Sequence, residues 1–143
     1  MSIPLIKTFE YPVPASEVWE ALTNTGKMKQ WYFPQLRKFE PVVSYAFQFD
    51  DDGPGFRKEW VVTRVTEGKI LAHSWAYKGY PGSSEVLFEL KPEGDKTMLT
   101  VTQTNLESFP DDPHFKRARF EQGWDRLLGQ NLKRLLEGNM QAP

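Results

Sequence analysis

The chain has 143 residues, 39% of them hydrophobic and 26% charged, with 18 lysines and arginines against 19 aspartates and glutamates. These values are typical of a single globular domain over residues 1–143, and a net charge near zero gives no general attraction for nucleic acid. Cysteine is absent and neither a signal peptide nor an apolar run of about 18 residues is visible, so disulfides and thiolate metal sites are excluded and a cytoplasmic, non-membrane protein is expected.

The first part of the chain predicts one strand followed by two short helices. Residues 3–11 are bounded by prolines and alternate aromatic with polar side chains, as a strand does. Apolar side chains then recur at helical spacing, which predicts a helix over Ala15–Thr23 with Ser16 as its N-cap. A second helical turn follows and is expected to end before Pro34.

Between residues 43 and 105 the apolar pattern has a period of two, which predicts an antiparallel meander. The segments DDDGPG, TEGK, KGYPGSS and KPEGDK separate the alternating runs and are too short for crossover connections. The aspartates at 50–52 would suit calcium, but the later ligands of a calcium loop are missing, so a charged hairpin turn is favoured. The predicted strand faces are Tyr45, Phe47 and Phe49; Leu71, His73, Trp75 and Tyr77; Val86, Phe88 and Leu90; and Leu99, Val101 and Gln103.

The C-terminal segment predicts one long amphipathic helix, with Asp112 at its N-cap, Pro113 at its first position and Gly138 beyond its end. The basic run HFKRAR near its start is interpreted as a solvated face with local ion pairs, because acidic residues follow it. At 100° per residue the apolar arc is leucine-rich in one half, whereas Arg117 and Glu121 interrupt the other half. The arc comprises Phe120, Trp124, Leu127, Leu128, Leu132 and Leu135, with Leu136 at its edge.

Gly123 lies beside this arc and needs a reason, because glycine inside a helix costs about 1 kcal/mol relative to alanine. One interpretation is that the charged residues reach water beyond the sheet, Asn131 bonds a backbone group, and Gly123 relieves crowding by Trp124. The alternative is that this half of the helix covers a partly wet cavity. The 14% aromatic content, with five Trp and ten Phe, fits either a bulky core or a ring-walled pocket. Gly129, on the opposite side of the helix, has no such explanation.

Three segments in order resemble the SRPBCC, or START-like (Bet v 1-like), superfamily. FEYPVPASEVWEALTNTGKMKQWY is similar to its opening strand and helix, VTRVTEGKILAHSW to a later strand pair, and QGWDRLLGQNLKRLLEG to its closing helix. Together they resemble the branch related to the C-terminal domain of the heat-shock protein 90 ATPase activator. The resemblance implies an α+β helix-grip fold: a curved antiparallel sheet of six to seven strands wrapped round a long C-terminal helix, with two short helices after the first strand.

The same resemblance implies an internal cavity for apolar ligands but no particular reaction. The sequence departs from many relatives at EPVVSYAF, which lacks a glycine pair, and at Trp60, where a small residue is common. The bulky ring is expected to narrow the cavity. No segment matches the cochaperone's separate activating domain, so stimulation of an ATPase is not carried over.

The favoured function is binding of a small hydrophobic or amphipathic ligand between the C-terminal helix and the sheet. The alternatives are a cochaperone-like module with a chaperone or other protein partner, and a cyclase-type enzyme whose base would be His73. No catalytic triad or metal-binding histidine pair is visible, so no catalytic residue, metal, cofactor, nucleic acid or membrane is predicted. The predicted ligand-binding residues are Trp31, Phe47, Trp60, His73, Trp75, Tyr77, Phe88, Phe120, Gly123, Trp124 and Leu127.

Overall fold

The computed structural model describes residues 3–50 and 58–141, and its elements follow the predicted order. Short 3-10 turns at Leu106–Ser108 and Pro113–Phe115 precede the C-terminal helix. A π-helical segment, Leu127–Leu132, interrupts that helix. The strands and helices are β1 (Leu5–Tyr11), α1 (Ala15–Thr23), α2 (Thr25–Trp31), β2 (Leu36–Lys38), β3 (Gln48–Phe49), β4 (Val62–Thr66), β5 (Ile70–Trp75), β6 (Ser84–Glu93), β7 (Lys96–Thr104), α3 (Arg117–Arg126) and α4 (Lys133–Gln141).

The strands form a five-stranded antiparallel sheet in the order β1-β7-β6-β5-β4, and β2 pairs with β3 in a separate two-stranded sheet. A bridge between Ala46 and Val61 joins the two sheets. The predicted faces of β5, β6 and β7 are correct, since Leu71 pairs with Phe88, Phe88 pairs with Val101, and all three side chains are buried in the core. The predicted strand face of Tyr45, Phe47 and Phe49 is wrong in its extent, because only Gln48–Phe49 of that segment is a strand. The α+β helix-grip fold is therefore confirmed.

The two short helices are joined by backbone and side-chain contacts to each other. Pro14, rather than the predicted Ser16, occupies the N-cap of α1, and its carbonyl accepts hydrogen bonds from the first turn. The side chain of Asn24 caps α2 by accepting a backbone N–H at 3.0 Å. Trp31 Nε1 donates to the carbonyl of Ala21 at 2.7 Å, which fixes the angle between α1 and α2.

Both predicted ends of the long helix are wrong. The carbonyl of Asp112 accepts the N–H of Phe115 at 2.9 Å, so Pro113 opens a single 3-10 turn instead of the helix. Lys116 then adopts an extended conformation, with φ −68° and ψ 142°, and α3 begins after it. At the other end the helix continues through Gly138, because the local cost of glycine is small enough for the helix to absorb.

The π-helical segment moves the buried face of the long helix by one residue. A π turn contains about one residue more than an α turn, so every position after it is displaced relative to a regular helix. Leu127, Leu128 and Leu132 are buried as predicted, but Leu136 is fully buried at the next turn whereas Leu135 is only partly covered. The predicted arc is wrong at this end because it assumed 100° per residue throughout.

The π turn is held by contacts on both of its sides. Tyr11 Oη donates to the carbonyl of Leu128 at 2.8 Å, and Asn131 Nδ2 donates at 3.3 Å to the last carbonyl of α2. Burial raises the pKa of Tyr11, so its hydroxyl stays protonated and remains a donor. A Cβ at Gly129 would lie 3.2 Å from Cε1 of Phe9, which gives this glycine its steric reason.

A test of the π-helical register compares two neighbouring leucines. Leu136→Ala is expected to lower the free energy of unfolding by about 2 to 5 kcal/mol, because it deletes atoms from a closed core. Leu135→Ala, the matched control, is expected to cost less than half as much because its side chain is partly exposed. Urea denaturation measures both values, and an equal or larger loss at Leu135 would contradict the displaced register.

Candidate functional site

A cavity of about 550 Å³ opens beside the N-terminal half of the long helix. Its volume is within the roughly 300 to 1,000 Å³ that is usual for small-molecule sites. One side is open to solvent, and the other is closed by the end of β5 and the loop after α2. The apolar lining consists of Phe33, Trp75, Tyr77, Phe120, Trp124 and Leu127; the other lining residues are Lys58, Arg119, Gln122, Gly123 and Arg126.

The inner wall of the cavity is a set of aromatic rings in mutual contact. The ring centroid of Trp75 lies 5.8 Å from that of Phe120 and 5.7 Å from that of Trp124, both edge-on. Trp75 Nε1 donates to Tyr77 Oη at 2.8 Å, and Trp124 Nε1 donates to Gln103 Oε1 at 2.9 Å. These hydrogen bonds fix both indoles, so the wall is rigid and presents apolar ring surface to the cavity.

Gly123 lies on the cavity side of α3, between the ring wall and the charged rim. Beyond the two adjacent residues and the backbone of the helix itself, no heavy atom lies within 4 Å of the position that a Cβ would take there. The glycine is therefore not needed to avoid residues outside the helix. It leaves space that any other side chain would reduce.

The rim of the cavity is cationic. Lys58 Nζ lies 4.7 Å from the ring centroid of Phe33, a cation–π contact at the cavity mouth. Arg119 and Arg126 are exposed, and their guanidinium groups make no hydrogen bond or ion pair with any residue of 3–50 or 58–141. Arg117 differs from them, because it donates to two backbone carbonyls just before β1 at 2.7 and 3.0 Å.

The structure separates the predicted ligand-binding residues into two groups. Six of them line the cavity: Trp75, Tyr77, Phe120, Gly123, Trp124 and Leu127. The other five lie behind the wall in the packed core, where α2 and the loop after it cover the middle of the sheet: Trp31, Phe47, Trp60, His73 and Phe88.

Trp60 shows how the core excludes the cavity from this region. Its ring centroid lies 4.2 Å from that of Trp75 and 4.9 Å from that of His73, and it also contacts Phe47 at 5.6 Å. The ring of Trp60 therefore fills the space next to the sheet, which agrees with the prediction that it narrows the cavity. The cavity lies on the opposite side of Trp75.

Five lining residues were not predicted from the sequence. Phe33 and Lys58 reach the cavity from loops, which hydrophobic periodicity does not position. Arg119, Gln122 and Arg126 are on α3, and helical spacing from Gly123 could have predicted Arg119 and Arg126. Arg119 and Arg126 lie four residues before and three residues after Gly123, and such positions share a helix face.

His73 is on the inner face of the sheet but points into the core. Its Nδ1 lies 2.8 Å from the carbonyl of Ser74, which can only accept, so Nδ1 carries the proton. Its Nε2 therefore accepts from Tyr32 Oη at 3.0 Å. Burial lowers the pKa of His73 to about 4, so the ring is neutral near pH 7. It does not line the cavity and is not placed to act on a molecule there.

Within residues 3–50 and 58–141, no three or more His, Asp or Glu side chains are grouped to hold a metal ion. In the same part of the chain no helix is long and apolar enough to cross a membrane. Asp51 and Asp52 lie outside the described residues, so the charged hairpin turn at 50–52 stays a prediction.

The chain is similar to known proteins in both sequence and fold. The family model for activator of Hsp90 ATPase homolog 1-like protein matches residues 12–137. DynU16, from the dynemicin biosynthetic locus, is 26% identical with a TM-score of 0.75 and covers 95% of this chain, which spans 48% of the DynU16 chain. CalU16 from Micromonospora echinospora is 23% identical with a TM-score of 0.73, over 96% of this chain and 76% of its own. An HSP90 activator from Plasmodium falciparum is 18% identical with a TM-score of 0.74, over 94% and 96%. No curated protein matches significantly.

The burial of His73 predicts a pH dependence of stability. The unfolded chain binds a proton at this ring below its ordinary pKa of 6.5, whereas the folded chain does so only near 4. The folded state is therefore progressively destabilised as pH falls between these values, by about 2 kcal/mol from about pH 7 to about pH 5. Stability above that window is unaffected.

The measurement is urea denaturation at several pH values in a His114→Gln background, which leaves His73 as the remaining histidine. Adding His73→Gln is expected to flatten the slope whatever it does to absolute stability. An unchanged slope would show that His73 does not carry the effect.

Proposed function

The chain belongs to the activator of Hsp90 ATPase homolog 1-like family, and we propose that it binds a small hydrophobic or amphipathic ligand in the cavity beside α3. The observation that carries the proposal is the open space at Gly123. The fold provides the site, because residues of α3 and the end of β5 line the same cavity. Membership of the family supports the fold but does not identify a ligand.

Gly123 supports the ligand-binding proposal because glycine destabilises a helix relative to alanine. Alanine there would meet no atom within 4 Å beyond its two chain neighbours and the helix backbone, and it would favour the helix by about 1 kcal/mol. Neither contact with residues outside the helix nor a left-handed conformation requires glycine at this position. Retention of room for a ligand accounts for a residue that folding alone disfavours.

The ring wall supports binding because it is ready before the ligand arrives. Trp75 and Trp124 are held by hydrogen bonds to Tyr77 and Gln103, so few rotamers have to be frozen on association. An apolar ligand placed against Phe120 would gain ring contact without rearranging the core. This arrangement favours one occupied site at the N-terminal half of the helix.

A protein-interaction module is the second candidate, and an exposed apolar pair favours it. Val42 and Val43 are 57% and 53% exposed, next to the bridge between the two sheets. The fold is also shared with the HSP90 activator from Plasmodium falciparum. The cyclase-type enzyme receives less support, because His73 faces the core.

The two candidates differ in which surface matters. Gly123→Leu would block the cavity, whereas Val42→Asp with Val43→Asp would alter the exposed pair. A partner captured from a lysate that is lost only with the valine changes would favour the interaction module. Binding of an apolar probe that is lost only with Gly123→Leu would favour the ligand-binding function.

Substitutions at Gly123 provide a stability and binding test. Gly123→Ala is expected to raise the free energy of unfolding by about 0.5 to 1 kcal/mol, because it relieves the helix cost without a clash. Gly123→Leu is expected to weaken binding of the neutral probe N-phenylnaphthylamine by about tenfold or more, since the side chain would occupy the space that the probe uses. Ala118→Leu, on the far side of α3, is the matched control and should leave binding unchanged. Equal binding by Gly123→Leu and its control would refute the site.

Tryptophan emission tests which rings border the ligand. An indole beside a cavity changes its environment when the cavity fills, whereas an indole in a packed core does not. A non-fluorescent apolar ligand such as decanol is therefore expected to alter the emission, and Trp124→Phe should remove much of that change. Trp31→Phe, in the core behind the wall, should preserve it. Equal losses in both variants would mean that the change does not arise at the cavity.

A further inference from the structure

Charges are sorted around α3 with respect to the cavity. At about 100° per residue, Arg119 and Arg126 lie within about 60° of Gly123 on the helix surface. Glu121 and Asp125 lie about 160° from it, on the opposite side. The lining accordingly contains three cationic side chains and no carboxylate among the described residues, although the whole chain carries a net charge of −1.

Neighbouring cations have structural partners that the two rim arginines lack. Lys116 pairs with Asp111 at 2.6 Å, and Arg117 donates to backbone carbonyls before β1. On the far side of the helix, Asp125 is paired with a lysine of β1 at 2.8 Å. Arg119 and Arg126 make no such contact with the part of the chain that the structure describes, so their donors face the cavity mouth uncommitted.

The two rim arginines and an apolar floor of aromatic rings line the same cavity, with Gly123 on the helix between them. Ring surface from Trp75 and Phe120 is available below them, and the third rim cation, Lys58, lies over the ring of Phe33. Guanidinium groups at the edge of a low-dielectric wall attract carboxylate and sulfonate groups more strongly than they would in bulk water. A neutral apolar molecule would use the floor and leave these donors unused.

From this arrangement we infer that the ligand is an anionic amphiphile, with an apolar body against the ring wall and one carboxylate or sulfonate bound by Arg119 and Arg126. The inference rests on the proposed ligand-binding function and specifies its ligand class. The body can be an aromatic ring system or an alkyl chain. The anionic group is the feature that both have in common.

The test uses two probes that share a ring system and differ in charge. Anilinonaphthalene sulfonate (ANS) carries the anion, and N-phenylnaphthylamine lacks it. The variant Arg119→Gln with Arg126→Gln is expected to weaken ANS binding by about tenfold, which corresponds to about 1.4 kcal/mol, and to change N-phenylnaphthylamine binding by less than about twofold. Arg134→Gln, an exposed arginine of α4 outside the lining, is the charge-matched control and should leave both affinities unchanged.

The outcomes separate this inference from the function on which it rests. Neutral-probe binding with an unchanged ANS affinity in the double variant would overturn the inference and leave ligand binding intact. Equal weakening of both probes would also overturn it, because the arginines would then act on packing. Failure of both probes to bind the unmodified protein would overturn ligand binding and the inference together.

A second arm identifies the body of the ligand. Decanoate and decanol compete against bound N-phenylnaphthylamine, and the inference expects decanoate to compete better in the unmodified protein but not in the double variant. If the arginines favour the anion only for ANS over N-phenylnaphthylamine, the ligand is an aromatic acid. If they also favour decanoate over decanol, the site accepts alkyl carboxylates too. Absence of the effect in both pairs would refute the anionic ligand.

Discussion

The hydrogen bond from Tyr11 Oη to the carbonyl of Leu128 connects the first strand to the middle of the last helix, and the arrangement of that helix depends on it. A π turn leaves a backbone carbonyl poorly served by the regular ladder, so a buried donor at 2.8 Å stabilises the wide turn. Burial raises the pKa of Tyr11 and thereby preserves the donor. Beyond the turn, Leu136 replaces Leu135 on the core side, so the C-terminal half packs closely against the sheet and α2.

This packing explains why polar residues interrupt only one half of the helix. The π turn packs against α2 and receives a hydrogen bond from Tyr11 of β1, and four leucines of this half are buried: Leu127, Leu128, Leu132 and Leu136. Ahead of the turn, α3 contacts the sheet through Phe120, which lies against Trp75, and through Trp124, which lies against Phe88. The polar residues of this half avoid the cost of burying a charge, because Arg117 is exposed and bound to two backbone carbonyls and Glu121 is only half-buried. One half of the helix thus closes the core, and the other half lines the cavity.

Period-two alternation predicted the inner faces of β5, β6 and β7 correctly, because a sheet with one buried face imposes that period. The regular helical angle predicted Leu127, Leu128 and Leu132 but failed at Leu136, since a π turn is produced by tertiary contacts that no local pattern records. The short strands β2 and β3 have too few residues to show a period. Because periodicity positions only residues on regular elements, about half of the residues that line the cavity could be predicted from the sequence. Trp75, Phe120 and Trp124 lie on regular elements, whereas Phe33 and Lys58 arrive on loops.

The buried polar groups behind the wall make it rigid. Tyr32 donates to the neutral ring of His73 at 3.0 Å, stacks on Trp31 with centroids 4.4 Å apart, and contacts Trp124 at 6.1 Å. An imidazole used in this way cannot also exchange protons with a molecule in the cavity, since a low pKa and a committed acceptor both oppose it. The same contacts restrain Trp124, so the conformational entropy of the ring wall was lost on folding, which favours the proposed ligand binding. Gly123 is the complement of that wall. Its backbone stays helical, and the absence of a side chain leaves open the part of the cavity that faces the rings.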